Sequence, residues 1–388
     1  MHRPTTPTHH TEKTPETATM RPTRLPAFSA TPLTLLTLLL TATSLTAEEI
    51  PAPEGDKLVK NNARLQLLFT RSAKIEGGLT EGPAVAPDGS IYFSDIPFGK
   101  DNGMIQRFDP KTGKTSVFSN DSGKSNGLIF DSQGRLLACE GAGFGGRQVS
   151  RTDVKSKKKT TLTNNFSGQR LNAPNDLCLD AKGRIYFSDP RYVGDEKREL
   201  EHRAVYCIEP GGKVFEVTHN ISKPNGIAIS PDGKMLFVAD HDNGTDNIDP
   251  DAKVPPTPGD MKIYGWSLKS NGQVESERFT IVDFSHYKMK GCDGMTVDEN
   301  GYLYLTVREA ARPGVMVIDP FAGKNIGYIP TGPIGQDQAT AVGLPSNVEF
   351  GIGKDRNMLY ITVDKSLYRI RLKTRGWHVQ YQGRKKKL

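Results

Sequence analysis

Apolar and polar positions alternate along this chain in short runs, and one run recurs six times. It is rich in β-branched and aromatic side chains and ends on a small or polar group. The copies are Ile91-Tyr92-Phe93-Ser94-Asp95, Leu136-Leu137-Ala138-Cys139-Glu140, Ile185-Tyr186-Phe187-Ser188-Asp189, Met235-Leu236-Phe237-Val238-Ala239-Asp240, Tyr302-Leu303-Tyr304-Leu305-Thr306-Val307 and Leu359-Tyr360-Ile361-Thr362-Val363. Glycines 89, 134, 183, 233 and 301 open the first five, and Asp355-Arg356-Asn357 opens the sixth. Two-residue alternation bounded by turn residues predicts β-strands. Partner strands joined by hairpin turns flank the copies: 104–108 and 115–118 about Lys111-Thr112-Gly113, 204–208 and 214–217 about Gly211-Gly212, 262–268 before Asn271-Gly272, and 315–318 before Ala322-Gly323.

The turn glycines are separated by 45, 49, 50 and 68 residues. Periods near 40–50 residues with several strands per unit predict a β-propeller, here all-β and six-bladed. The run Leu65 to Phe69 is expected to pair into the last blade, closing the ring and removing open sheet edges. The propeller is placed over 64–378, with a linker at 48–63 and a basic tail at 379–388. Two insertions follow strand runs, 191–203 and 241–260, and either serve as lids over one face or as blade-edge loops. The second is rich in Asp but lacks the residue order of an EF-hand.

Residues 1–47 stand outside this pattern. Met1 to Thr19 is Thr-, His- and Pro-rich. From Met20 the chain reads as a secretory leader: Arg21 and Arg24, an apolar run Leu33 to Leu40, then small residues to Ala47. The expectation is export to the periplasm or exterior, with no stable membrane insertion after cleavage. An uncleaved anchor is the alternative, but the Thr-broken run is short for a span.

Charge adds little. The net charge is +7, and the leader contributes Arg3, Lys13, Arg21 and Arg24 against Glu12 and Glu16, leaving +5. Much of that sits in Lys157-Lys158-Lys159 and Arg384 to Lys387, read as solvated charge runs rather than a nucleic-acid surface. The four cysteines, Cys139, Cys178, Cys207 and Cys292, have no CxxC spacing; three disulfide connectivities and buried free thiols both remain open.

A second register carries the chemistry. Glu81, Asn126, Asn175, Asn225 and Asp293 each precede their turn glycine by eight residues. Equal register in equivalent blades places all five at one depth on the inner strands, facing the axis. Asn-Gly and Asp-Gly are also ordinary turn pairs, but five in one register exceed what turns require. Two carboxylates with amides between them, and no His or Cys, form a hard-oxygen set. It favours Ca²⁺, with Mg²⁺, Mn²⁺ or Zn²⁺ as substitutes. No GxSxG elbow is present, so a serine-esterase route is unsupported. Asp293 is the candidate base that accepts a proton from water, although covalent attack by its carboxylate stays open.

The order EGP (81–83), NGL (126–128) with FDSQGRLLACE, RLNAPNDL (170–177) with GRIYFSDPRY, KPNGIAISPDGK (223–234) and DGM (293–295) resembles the gluconolactonase branch of the senescence-marker-protein/regucalcin family. The resemblance spans about 75–370. It implies a calcium-dependent six-bladed propeller hydrolysing a small sugar-type lactone. Glu81, Asn225 and Asp293 are implied metal ligands, Asn175 is a ligand or substrate contact beside the metal, and Asn126 contacts substrate or binds through water. Arg170, in GQRLNAPND, is a candidate for a substrate hydroxyl or carboxylate, against the alternative of an exposed loop arginine. Tyr192 follows the SDP motif, where the family carries a loop over the site. His202 and His241 are candidates to reach the pocket. A phosphotriesterase-like hydrolase and a non-catalytic calcium-binding propeller are the rival readings.

Overall fold

The computed structural model describes residues 50–60, 62–72, 78–245 and 257–382. The secretory pattern, most of the Asp-rich insertion and the Arg384–Lys387 run lie outside them. Six four-stranded antiparallel sheets are arranged around an axis. Their innermost strands are Leu79–Val85, Ser125–Phe130, Leu177–Leu179, Pro224–Ile229, Cys292–Val297 and Pro345–Phe350, in blades 1 to 6. Each innermost strand touches those of the blades on either side, so the ring closes. The recurrent runs form the second strand of every blade.

The turns that open these runs form for a local reason. In blade 2 the Asp131 carboxylate accepts from the backbone N–H groups of Gln133 and Arg135, and Asp180 and Asp298 do the same in blades 3 and 5. An Asx turn of this kind aims the chain back along the sheet. The turn in blade 6 differs: a 3₁₀ turn, Gly353–Asp355, precedes Met358–Val363.

Blade 6 is completed from the other end of the chain. Gln66–Thr70 pairs antiparallel with Ser366–Arg371, with Thr70 opposite Ser366 and their hydroxyls 2.8 Å apart. The ring closure expected from the early apolar run is therefore present. Apolar clusters fill the gaps between blades; Tyr186, Val205, Leu236 and Trp266, all fully buried, join blades 3 and 4. All four cysteines are buried and free.

Two boundaries shift. The segment expected as a linker is part of the fold: Leu58 and Val59 are buried against Val315, Val317 and Ile329, and Glu54 exchanges backbone hydrogen bonds with Tyr328. Two adjacent apolar side chains are enough to hold this otherwise polar stretch on blade 5. The tail begins later than 379, because Val379–Tyr381 forms a 3₁₀ turn and the Tyr381 hydroxyl donates to the Val85 carbonyl at 2.7 Å.

Candidate functional site

Glu81, Asn126, Asn225 and Asp293 stand near the start of their innermost strands, and Asn175 stands two residues ahead of its shortened one. In blades 1, 2, 4 and 5 the strand pairing slips at this position, between Glu81 and Ala84, Ser125 and Leu128, Pro224 and Ile227, and Cys292 and Met295. A bulge repeated at one level re-aims side chains at one level. All five residues line a single cavity of about 800 Å³.

The residue after each candidate shows how close the strands come. It is glycine at 82, 127, 226 and 294. A Cβ on Gly127 would lie 2.4 Å from an Asp176 carboxylate oxygen, and one on Gly294 would lie 2.1 Å from Asn347 Cγ. In blades 3 and 6 that same position carries a side chain, Asp176 and Asn347, and these two meet across the axis at 3.3 Å. Gly127 and Gly294 make room for this acid–amide pair next to the candidate ring, while Gly82 and Gly226 let the neighbouring inner strands approach.

Electrostatics in this space are dominated by burial. Desolvation raises the Glu81 carboxyl well above its usual range, and the neighbouring charges of Asp293 and Asp176 add to it. Its Oε2 accepts from the Gly82 N–H at 2.9 Å. Asp176 is pushed up to about 7, chiefly by burial, with hydrogen bonds from Leu177 and Asn347 opposing the rise. Asp293 is paired at 3.7 Å with Arg308, whose guanidinium also donates to the Leu344 and Pro345 carbonyls. Glu81, Asp176 and Asp293 are thus near enough for their charges to act on one another, and burial opposes leaving Glu81 and Asp176 ionised without a counter-charge.

Tyr192 fixes one amide. Its hydroxyl donates to the His241 carbonyl at 3.1 Å and accepts from Asn225 Nδ2 at 3.0 Å. The amide nitrogen is thereby held on the tyrosine and Asn225 Oδ1 is left for a ligand. Burial, followed by the Asp293 charge, raises the phenol well above its ordinary value, so it stays protonated. Lys223 Nζ lies 4.6 Å from the centre of the Tyr192 ring and backs it.

His241 also lines the cavity. Burial pushes its imidazole below the ordinary value, and a backbone hydrogen bond with Cys292 works against that. Two other candidates lie elsewhere. Arg170 is exposed in a two-stranded hairpin, Asn165–Phe166 with Gln169–Arg170, and its guanidinium donates to the Gly146 carbonyl at 2.8 Å. The hairpin turns it away from Asn175, close though the two are in sequence. His202 is exposed and stacks on His219 with ring centres 4.5 Å apart. Arg308, Lys290, Asp176 and Asn347 are the residues that the eight-residue register missed.

Among the described residues, no group of three or more His, Cys, Asp or Glu is arranged as a metal site. A site here therefore has to draw on amides as well as acids. Glu81 and Asp293 with Asn175 and Asn225 give such an oxygen set, lining one cavity, and its chemistry fits Ca²⁺ better than a thiolate- or imidazole-seeking metal.

Residues 79–365 match the family model described as the SMP-30/Gluconolactonase/LRE-like region, and the chain belongs to that family. A gluconolactonase of Zymomonas mobilis is 27% identical over 350 residues, covering 82% of this chain and 87% of that protein. A solved gluconolactonase structure from Xanthomonas campestris is 25% identical with a TM-score of 0.65, covering 83% of this chain and 95% of that one. A calcium-binding regucalcin structure from Agrobacterium tumefaciens shares the fold at 17% identity and a TM-score of 0.59, over 80% of this chain and 95% of that one.

Proposed function

We propose that this protein is a calcium-dependent lactonase acting on a sugar-type lactone after export. The observation that carries the reading is the convergence of Glu81, Asn175, Asn225 and Asp293 on one axial cavity, in a chain of the gluconolactonase family. Similarity to gluconolactonases supports the substrate class. Export rests on the leader pattern from Met20 to Ala47.

Glu81, Asn175, Asn225 and Asp293 would hold the cation. Bound there, Ca²⁺ would supply Lewis-acid polarisation of the lactone carbonyl and charge balance for the developing oxyanion. The chain's own groups do the rest. Asp293 accepts a proton as water oxygen bonds to the carbonyl carbon. The ring C–O bond then breaks, and the leaving oxygen takes up the proton that Asp293 accepted, giving the hydroxy acid and restoring the carboxylate. Tyr192 orients Asn225. Arg308 places a fixed positive charge beside Asp293. His241, held below its ordinary pKa, is a neutral wall of the cavity rather than a second cation.

The test is hydrolysis of δ-gluconolactone with Ca²⁺ and with chelator, spontaneous opening subtracted, alongside calorimetric Ca²⁺ binding. Turnover that disappears with chelator supports the reading. Stoichiometric Ca²⁺ binding without turnover of any lactone would replace it with a calcium-binding propeller.

A further inference from the structure

Three loops meet on one side of the cavity mouth, and each presents an apolar side chain to water. Phe98, Phe144 and Val193 are 64%, 62% and 62% exposed, and all three line the cavity. Behind them Leu79, Ile96, Pro97, Ala142 and Ala173 add apolar surface to the cavity, with Lys124, Asp195 and Glu196 also lining it. The opposite wall is polar, formed by Lys290, Arg308, Gln338 and Asp293. Isolated exposed apolar residues are ordinary on a protein surface. Three on one lip of the same cavity, continuous with its apolar wall, are not isolated.

The lip is also built. The Lys124 ammonium donates to the Gly99 carbonyl, tying the first loop to the second blade. The Glu196 carboxylate, from the insertion, accepts from the Gly143 and Phe144 N–H groups at 3.1 and 3.0 Å, tying the third loop to the second. Those bonds hold Phe144 at φ 72°, a left-handed conformation that bulky residues rarely adopt. Strained backbone at a ligand mouth persists where the surroundings enforce it, and such strain clusters at functional sites. The cavity volume, about 800 Å³, lies toward the upper end of the roughly 300–1,000 Å³ that holds drug-sized ligands. A bare sugar lactone, polar on every face, leaves the lip wet.

We infer that this site takes lactones bearing an apolar substituent, an alkyl chain or aryl group. The ring lies at Glu81 and Asp293, and the substituent lies along Phe98, Phe144 and Val193. The inference rests on the lactonase reading and extends its substrate class from sugar-type lactones to lactones with an apolar substituent.

The test measures kcat/KM of the purified full chain with Ca²⁺ on δ-valerolactone, on 5-alkyl δ-lactones of increasing length, and on δ-gluconolactone. Half-burial of each methylene on the lip gives about a twofold rise in kcat/KM, full burial about fourfold. The companion variant, Phe98→Ser with Phe144→Gly, relieves the strained φ, so its melting temperature is expected to hold or rise. In that variant the ratio of long-chain to unsubstituted kcat/KM falls toward one. A flat series in the parent protein, with lactones still hydrolysed, overturns the inference and leaves the lactonase standing. A rising series that the variant leaves unchanged overturns the assignment to this lip. No turnover of any lactone, gluconolactone included, removes the lactonase reading and this inference with it.

Discussion

Glu81 and Asp293 share one cavity, yet their surroundings are unequal. Glu81 is buried, and burial with two neighbouring acids raises its carboxyl well above the usual range, so its ionised form calls for a compensating positive charge. Asp293 has Arg308 at 3.7 Å and is partly open to the cavity. That inequality suits Glu81 to a cation and Asp293 to the water. Asp293→Asn is expected to lower kcat by about 10²–10⁴, the usual worth of a positioned base, and to weaken Ca²⁺ binding; steady-state kinetics with calorimetry reads both. Tyr192→Phe keeps the ring and removes the hydroxyl that holds the Asn225 amide. Ca²⁺ affinity should fall about 10- to 100-fold, the common cost of losing such an outer partner.

A buried acid outside the cavity also contributes to the response of stability to pH. Burial raises Glu349 to about 8, against hydrogen bonds from the Phe350 N–H and the Thr296 hydroxyl, while His378 beside it is lowered to about 4. Above the unfolded glutamate value, near 4.5, the native state holds a proton that the unfolded chain has lost. Glu349 therefore lowers stability as pH rises from about 4.5 to about 8. Between about 4 and 6.5 His378 has the opposite sign, since only the unfolded chain holds its proton there, and the two slopes offset each other; the net fall runs from about 6.5 to about 8, with a slope of at most about 1.4 kcal/mol per pH unit for one proton. Glu349→Gln should flatten that part of the curve of urea-derived stability against pH. An unchanged slope would assign it to other acids.

At the scale of the strand, the close approach of neighbouring inner strands is the controlling feature. Gly294→Ala would drive a methyl into Asn347 at 2.1 Å, where the acid–amide pair leaves no slack. The expected loss is about 1–3 kcal/mol, read as a lower denaturation midpoint in urea. The spacing of eight residues was legible in sequence because an innermost strand and its turn have nearly fixed length in blades 1 to 5. Blade 6 escaped it: Gly353–Asp355 is a 3₁₀ turn and the residue eight after Ser346 is Lys354, so no glycine marked the register that would have pointed to the neighbouring Asn347. Asp176 escaped because Asn175 satisfied the register first. The column of glycines after the candidates was the better signal, since the two positions that break it are the two that meet. Arg170 stands outside the cavity because nearness along the chain to Asn175 ignores the hairpin that carries it. The contact of Glu196 with Gly143 and Phe144 joins loops without periodicity, and no spacing encodes it.

For the molecule as a whole, the strand Gln66–Thr70 is the edge cover of blade 6. A chain starting after Thr70 should expose the Ser366–Arg371 edge and associate; light scattering and a lowered melting temperature would report it. The same pairing sets a schedule for synthesis. Thr70 and Ser366 lie 296 residues apart, and at about 5–20 residues per second a ribosome needs about 15–60 s to cover that stretch. For that time the first strand waits without its partner and the ring cannot close. The element that completes the fold is unavailable until the last blade has been made, so the export proposed above would meet a ring that has not yet closed.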